Sequence, residues 1–224
     1  MPRPFAEILA EAAARKGGEA ALAAQLAQPA DPAALARLGD DRWLSEMAKR
    51  VFQAGFNWSV IERKWPDFEA AFEGFQPARW SMAADEDLDR LLADRRIVRH
   101  AAKIRSVFEN AAFLRQLAEE EGRPAGAVFA AWPSADYVGL LELFKRRGAR
   151  LTGRTAQYLL RGLGKDSFIL SEDVLEALVR EGVLEKPAAS SKTALARVQA
   201  AFNAWAAESG RPLTQISQVL ARSV

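Results

Sequence analysis

Apolar residues recur at spacings of three and four along nearly the whole of this 224-residue chain. One such stripe runs from Ile104 through Val107, Ala111 and Leu114 to Leu117, and this spacing places its members on one face of a helix. The alternation of apolar and polar residues expected of β-strands, rich in Val, Ile and Thr, is hard to find in any window. The sequence therefore predicts an all-α protein.

Capping residues, prolines and glycines divide the pattern into separate helices. Asp31 and Pro32 pair a capping residue with proline at a first helical position, and the acidic residues at 40 and 41 open a helix that Gly55 closes. The next helix is predicted between Pro66 and Gly74. Later helices are predicted from Asp85 towards His100, along the apolar stripe to Gly122, and over Val128–Trp132, Tyr137–Arg147, Thr155–Leu163, Asp173–Arg180, Leu195–Ala207 and Thr214–Ala221.

The chain length suits a single domain with two helical lobes around a cleft. We expect four segments within it. They are an alanine-rich N-terminal part (1–40), a pocket lobe (41–135), a hairpin region (136–182) and C-terminal helices (183–224).

The sequence contains no cysteine and one histidine. This excludes disulfides, thiolate zinc sites, cysteine nucleophiles and multi-histidine metal centres. Basic and acidic side chains nearly balance, 31 against 29, so affinity for nucleic acid has to come from local clustering. No apolar run approaches the roughly 20 residues that span a bilayer, and the start lacks the apolar core of a signal peptide. We expect a monomeric, cytoplasmic protein without a membrane partner.

The strongest local signal is a basic hairpin, LLELFKRRG, ARLTG and RTAQYLLRGLGK. From Leu141 to Lys165 it carries seven Lys or Arg residues and one acidic residue, Glu142. A glycine turn that leads into a helix N-terminus offers backbone N–H groups and a positive dipole to phosphate. The residues predicted to hold a DNA backbone are Gly148, Arg150, Gly153, Arg154, Thr155 and Lys165. The alternative is a solvated basic helix face with an ordinary turn glycine.

Aromatic residues surround a second glycine turn, QAGFNW at residues 53–58. Such a turn can form the wall of a pocket that stacks a flat ligand, as flipped bases are held. Gln53, Phe56 and Trp58 are the candidates for this pocket. Further along, Trp65 and the phenylalanines at 68, 72 and 75 lie mostly at helical spacing, which favours core packing for them.

Two isolated polar residues have both a functional and a structural interpretation. Asp173 lies just inside a predicted helix N-terminus, where a carboxylate can stabilise a cationic transition state at a sugar or orient a water. Aspartates are also common there because they suit the helix dipole. His100, in RRIVRHAAKI, is placed to contact phosphate or to cap a helix.

Two long segments resemble a known family. FQAGFNWSVIERKWPDFEAAFEGF and DEDLDRLLADRRIVRHAAKIRSVFENAAFL are similar to the DNA-3-methyladenine glycosylase I (Tag) family, which shows a QAGL-x-W segment and then IIRH-x-x-KI with a downstream Asn-Ala pair. The similarity covers about Met47 to Leu114 and resumes at LFKRRGARLTGRTAQYLL, where the family carries its DNA-gripping hairpin.

The resemblance implies a helix-hairpin-helix DNA glycosylase fold and hydrolysis of the N-glycosidic bond of a flipped, alkylated purine in base excision repair. The partner is then double-stranded DNA with a damaged base, and no cofactor or metal is needed. Trp58 is expected to stack on the base. The place of the catalytic aspartate found in other members of the superfamily falls at Asp173, and Lys165 and His100 are expected to contact phosphate.

The sequence also departs from the family pattern. The Cys and His residues that bind zinc in the family are missing, as is its N-terminal Tyr-His-Asp-x-Glu-Trp-Gly type motif. The pocket glutamate of the family falls at Arg50, and a guanidinium repels a cationic purine by about 1–4 kcal/mol in a partly solvated site. Glu46, one helical turn earlier on the same face, is the candidate to replace it, while pairing with Arg50.

Two functions of different classes follow. The first is a monofunctional DNA glycosylase of 3-methyladenine type. The second is a non-catalytic DNA-binding module of the same fold that recognises damaged or distorted duplex.

Overall fold

The computed structural model describes residues 2–224, and within them it contains α-helices and short 3-10 turns but no strand. The all-α prediction is confirmed. The helices in the first half are α1 (Phe5–Arg15), α2 (Glu19–Ala23), α3 (Pro32–Ala36), α4 (Asp40–Gln53), α5 (Trp58–Ala71), α6 (Pro77–Trp80), α7 (Asp85–Ala93) and α8 (Ala101–Glu121). Those in the second half are α9 (Ala125–Ala131), α10 (Tyr137–Arg147), α11 (Arg154–Leu163), α12 (Glu172–Arg180), α13 (Lys192–Ser209) and α14 (Leu213–Leu220). None of these helices is long and apolar enough to pass through a bilayer.

The chain forms two compact units, each assembled from separate stretches of sequence. We call residues 31–132 and 140–163 the central unit, and the stretches up to residue 30, 133–139 and 164–224 the terminal unit. The predicted hairpin region, 136–182, is therefore divided between the two units.

The long helix α8 organises the central unit, because α4, α6, α7 and α9 all pack against it. Stacked rings fill the space beside it, with Trp65 on Phe68 and on Phe75, and Phe72 on Phe75. The three phenylalanines are fully buried, as their helical spacing predicts. This aromatic core fixes α5 relative to α4, and therefore positions the turn between them.

Local signals in the sequence set several helix ends. Asp31 caps α3 by accepting a hydrogen bond from the N–H of Ala33, and Ser171 caps α12 in the same way from Val174. Gly122 ends α8 in the left-handed conformation, which costs glycine no steric penalty. The predicted bounds of α10 agree with the structure at both ends.

The prediction that Pro66 begins a helix is wrong. Helix α5 starts eight residues earlier at Trp58, where Asn57 caps it by accepting a hydrogen bond from the N–H of Ser59, and it continues through Pro66. Proline removes one backbone hydrogen bond inside a helix. Burial of Ile61, Phe68 and Ala71 on the inner face of α5 offsets that loss.

The terminal unit has its own core and one buried ion cluster. The rings of Phe5, Trp205 and Phe202 contact one another in series, and Phe202 also contacts Phe168. The Glu181 carboxylate, with a fully buried side chain, accepts hydrogen bonds from the guanidinium groups of Arg3 and Arg180. The strongest effect on Glu181 comes from Arg3, and together the two arginines hold the pKa of this carboxyl below its usual value.

Candidate functional site

The turn between α4 and α5 carries the QAGFNW sequence in the central unit. Gly55 adopts a positive φ of 76°, and Phe56 and Trp58, on either side of Asn57, are 41% and 40% exposed. Both rings are partly exposed to solvent, whereas the Phe and Trp side chains of the core are fully buried. Exposed aromatic rings at a turn are suited to stacking on a flat ligand.

Lys103 on α8 fixes this turn from beneath. Its ammonium donates hydrogen bonds to the carbonyls of Phe52 and Ala54 at 3.2 and 2.6 Å, and it lies 4.4 Å from the centre of the Phe56 ring. Burial lowers the pKa of Lys103, and the nearby charge of Arg150 adds to this effect. The lysine thus satisfies carbonyls at the C-terminal end of α4 and connects the aromatic turn to α8.

Arg50, on the last turn of α4, is held by two side chains of its own helix. The distance from its Nη2 atom to Glu46 Oε1 is 2.5 Å, and its Nη1 donates to Gln53 Oε1 at 2.9 Å. Its Nε–H is buried and has no hydrogen-bond partner. Gln53 is itself fully buried and donates to Glu62 at 3.4 Å. The guanidinium group lies 5.4 Å from the centre of the Trp58 ring.

The basic hairpin of α10 and α11 contributes the second half of the site. Gly148 ends α10, and its N–H donates to the carbonyl of Phe144 at 2.8 Å. A Cβ atom at Gly148 would lie 2.7 Å from that carbonyl oxygen, so any larger residue would displace the turn. Arg150 and Gly153 follow with positive φ angles of 60° and 53°, and both are exposed.

Asn110 on α8 binds this hairpin through both ends of its amide. Its Nδ2 donates to the carbonyl of Ala149 at 3.1 Å, and its Oδ1 accepts from the N–H of Ala149 at 2.8 Å. The side chain is almost fully buried. A buried amide with both groups paired fixes the backbone more strongly than an exposed contact, and it fixes the residue next to Arg150.

A small cavity of the central unit lies where the end of α4 meets the start of α11. Its volume is about 130 Å³, and it is lined mostly by carbon atoms of six residues, Arg50, Ala54, Trp58, Arg154, Thr155 and Tyr158. The rings of Trp58 and Tyr158 meet edge to face at 5.1 Å. A pocket for a drug-sized ligand takes roughly 300–1,000 Å³, so this cavity suits at most a single flat ring system.

Gly162 permits the close approach of α11 and α4 beside this cavity. A Cβ atom at this position would overlap Nη2 of Arg50 and lie 2.6 Å from Oε1 of Glu46. The absence of a side chain therefore leaves room for the ion pair.

The structure brings four of the predicted site residues into one cavity, namely Arg50, Trp58, Arg154 and Thr155. Glu46 and Gln53 lie behind Arg50 and are absent from the lining. Phe56 stands at the same turn over Lys103.

The other predicted residues lie elsewhere. His100 is at the N-cap position of α8, without a capping hydrogen bond from its side chain. Lys165 and Asp173 belong to the terminal unit. Lys165 is buried, which lowers the pKa of its ammonium although Asp166 opposes this. Asp173 is exposed in the first turn of α12. The contacts with DNA expected of these residues stay predictions.

Sequence reasoning missed Tyr158, Lys103 and Asn110. Tyr158 lies four residues after Arg154 and three after Thr155 on α11. This spacing places it on the same helix face as those two residues, so the sequence alone could have predicted it as part of the site. Lys103 and Asn110 both stand in the segment that carries the family resemblance, in RHAAKI and ENAA, but their partners lie 39 to 51 residues away along the chain. Local spacing therefore does not predict their contacts.

Part of this chain is similar in sequence to known proteins. The model of the methyladenine glycosylase family matches residues 36–137. This part of the chain is related to the methyladenine glycosylases. DNA-3-methyladenine glycosylase 1 of Escherichia coli K12 is 35% identical over 72 residues, which are 32% of this chain and 38% of that protein. The chain therefore spans well under half the length of this curated relative.

Solved methyladenine glycosylases resemble the chain in fold. The 3-methyladenine DNA glycosylase I from Staphylococcus aureus superposes with a TM-score of 0.50 at 18% identity, covering 70% of this chain and 91% of that one. Another crystal structure of a 3-methyladenine DNA glycosylase I has a TM-score of 0.47 and 24% identity, with coverages of 56% and 79%. The Staphylococcus aureus structure confirms the predicted helical glycosylase fold.

The zinc site that resemblance to the methyladenine glycosylases implies does not fit this chain. The sequence has no cysteine and only His100 as an imidazole ligand. Across residues 2–224 no group of three or more His, Cys, Asp or Glu side chains gathers as a metal would require. Structural zinc needs four such ligands, so the donors for it are lacking.

Proposed function

We propose that this chain is a DNA glycosylase that hydrolyses the N-glycosidic bond of a damaged purine. The observation that carries the proposal is the cavity that joins Arg50 and Trp58 of the aromatic turn to Arg154 and Thr155 of the basic hairpin. One group of residues is suited to stacking a flipped base, and the other to gripping the backbone from which it has left. The relatives are named for 3-methyladenine, so an alkylated purine is the first base to test.

The basic hairpin holds the phosphates in this proposal. Arg150 and Arg154 are exposed, and Asn110 and Gly148 fix the turn that presents them. Phosphate contacts give affinity that is independent of sequence and falls steeply with salt. We therefore expect the hairpin to set the affinity for duplex DNA and the cavity to set which base is removed.

Hydrolysis itself needs a water and stabilisation of the sugar. The oxygen of water bonds to C1′ and releases a proton to a nearby base or to solvent, while the C1′–N9 bond breaks and its electron pair leaves with the base. Asp173 is our candidate for orienting that water or stabilising the oxocarbenium charge, and this role rests on the resemblance to other superfamily members. The residues proposed for base and phosphate contact in the cavity belong to one unit of one chain, so a monomer suffices. Because its proposed substrate is DNA, we infer that the protein acts in the cytoplasm.

The test is release of free base from duplex DNA treated with a methylating agent, followed by mass spectrometry. The wild type is compared with Trp58→Ala and Asp173→Asn, and duplex affinity is measured for all three. Release that Trp58→Ala slows by about tenfold or more while affinity holds supports the proposal. A folded wild type that binds the duplex and releases nothing contradicts it.

A second function, a non-catalytic DNA-binding module, is favoured by one observation. Arg50 stands where the resemblance implies a pocket glutamate, and its Glu46 and Gln53 partners leave it firmly in place. For such a module we expect that neither Trp58→Ala nor Asp173→Asn changes the affinity for duplex DNA or the amount of free base released.

A further inference from the structure

The cavity has an unusual chemistry for a site that would take a cationic purine. Its two charged lining residues are Arg50 and Arg154, and Thr155 and Tyr158 add hydroxyl groups. Within residues 2–224 no Asp or Glu lines it. Glu46, the nearest carboxylate on α4, already pairs with Arg50 at 2.5 Å. The surface of the cavity is mostly carbon, and the charged groups that border it are guanidinium groups.

Arg50 is held as a fixed donor. Glu46 and Gln53 each engage one terminal nitrogen of the guanidinium group, and the Trp58 ring lies 5.4 Å from its carbon. Each terminal nitrogen carries a second N–H, so a planar fork restrained in this way still has donors for an acceptor edge and loses little freedom when it binds one. Arginine pairs in this manner with the carbonyl oxygen and ring nitrogen of a purine that carries a 6-carbonyl group.

The charge of the leaving base gives a second reason to expect that this cavity favours an uncharged purine. A methylated, cationic purine departs as a neutral molecule once it takes the electron pair of the C1′–N9 bond. An uncharged purine takes the same pair and acquires negative charge until a proton released by the attacking water reaches it. A guanidinium group at the base edge stabilises that developing charge, whereas it gives nothing to a cationic base in the ground state.

We infer that this cavity selects an uncharged purine lesion with carbonyl acceptors, such as hypoxanthine, over cationic 3-methyladenine, and that Arg50 is the residue that determines this specificity. The inference rests on the proposed glycosylase activity and narrows its substrate. The size of the cavity, about 130 Å³, is in keeping with one flat ring system held against Trp58 and Tyr158.

The experiment compares rates of base release from two substrates of equal length. One duplex contains a single deoxyinosine, and the other is treated with a methylating agent and assayed for 3-methyladenine. The proteins are wild type, Arg50→Gln, Arg50→Lys and, as matched control, Arg63→Gln, an exposed arginine of α5. Urea unfolding and duplex affinity establish that each variant is folded and binds DNA. If Arg50→Gln does not fold, Arg50→Lys replaces it, because lysine keeps the charge but lacks the planar fork.

We expect the wild type to release hypoxanthine about tenfold or more faster than 3-methyladenine, and Arg50→Gln to lower hypoxanthine release about 10- to 100-fold. Arg63→Gln should match the wild type. Faster release of 3-methyladenine by the wild type, or an unchanged hypoxanthine rate in Arg50→Gln, overturns the inference and leaves the proposed function standing.

Release of neither base overturns the proposed function instead. Equilibrium dialysis with the wild-type protein then decides the inference separately, using free hypoxanthine and the 3,9-dimethyladeninium cation as probes. Binding of hypoxanthine about fivefold or more tighter than the cation supports it. Equal binding, tighter binding of the cation, or binding of neither probe overturns it.

Discussion

The amide of Asn110 pairs with both backbone groups of Ala149, across 39 residues of sequence, as a neighbouring strand would. This pairing joins the long helix of the central unit to the basic hairpin. Replacement by Ala leaves the carbonyl and the N–H of the half-buried Ala149 without these partners. We expect Asn110→Ala to lower the free energy of unfolding by about 1–3 kcal/mol.

The same variant should weaken duplex binding, because Arg150 follows Ala149 directly and loses its fixed backbone. Urea unfolding and fluorescence anisotropy with a labelled duplex measure the two effects. Gln116→Ala, an exposed residue on the same helix, is the control and should change neither. Full duplex affinity in folded Asn110→Ala would show that the hairpin does not need this contact.

Gly162→Ala tests the close approach of α11 and α4. Alanine in place of glycine inside a helix ordinarily adds about 0.5–1 kcal/mol of stability. Here its Cβ would overlap the guanidinium group of Arg50, so we expect no gain, and a change in base release because Arg50 moves in the cavity. In a background that carries both Glu46→Ala and Arg50→Ala the obstructing side chains are gone, and Gly162→Ala should then stabilise. Equal effects in the two backgrounds, measured by urea unfolding, would contradict the geometry.

Lys103→Met tests the support beneath the aromatic turn. The variant keeps the length of the side chain but removes the hydrogen bonds to the carbonyls of Phe52 and Ala54. We expect a loss of about 1–3 kcal/mol in the free energy of unfolding. Lys145→Met, at an exposed hairpin position, should lose far less. Comparable losses in the two variants would mean that Lys103 contributes only as a hydrophobic stem.

Glu181→Gln tests the ion cluster of the terminal unit through its pH dependence. The pKa of Glu181 is lowered in the folded protein, so its charge stabilises the fold above the ordinary glutamate pKa, and this contribution is lost as pH falls through the folded value. Because the two arginines that lose their partner are partly exposed, we expect the variant to be about 1–3 kcal/mol less stable than the wild type near neutral pH.

That difference should shrink as the pH falls below about 4.5, because the carboxyl protonates first in the unfolded wild type and only at a lower pH in the folded protein. Urea unfolding at a series of pH values measures it. Glu185→Gln, whose carboxylate is mostly exposed, provides the comparison and should show little difference at any pH. A constant gap between Glu181→Gln and wild type would exclude a role for the charge.

How much of this structure the sequence predicts depends on how far apart along the chain the interacting residues lie. Asp31, Ser171 and Gly122 act on backbone groups within a few residues, so the helix ends they set are visible in a short window. Pro66 misleads because its own preference is local, while the burial of Ile61, Phe68 and Ala71 that keeps α5 continuous through it depends on the tertiary fold.

The candidate site shows the same difference between local and long-range interactions. Arg50 and Glu46 stand four residues apart on one helix, so their pairing is predictable from spacing alone. Tyr158 reaches Trp58 across 100 residues, and Lys103 and Asn110 act across about half that distance. Sequence motifs therefore identify the two halves of the cavity, but only the tertiary fold shows which residues connect them.

The discontinuous terminal unit also bears on the order of folding during synthesis. All residues of the central unit have been translated once residue 163 is made, whereas α1 and α2 must wait for α13 and α14 before their core is complete. Contacts between such distant segments form slowly, because the intervening chain must first be closed into a loop. The apolar faces of the first two helices are thus exposed for most of translation. During this period chaperones that bind nascent chains can bind to these faces.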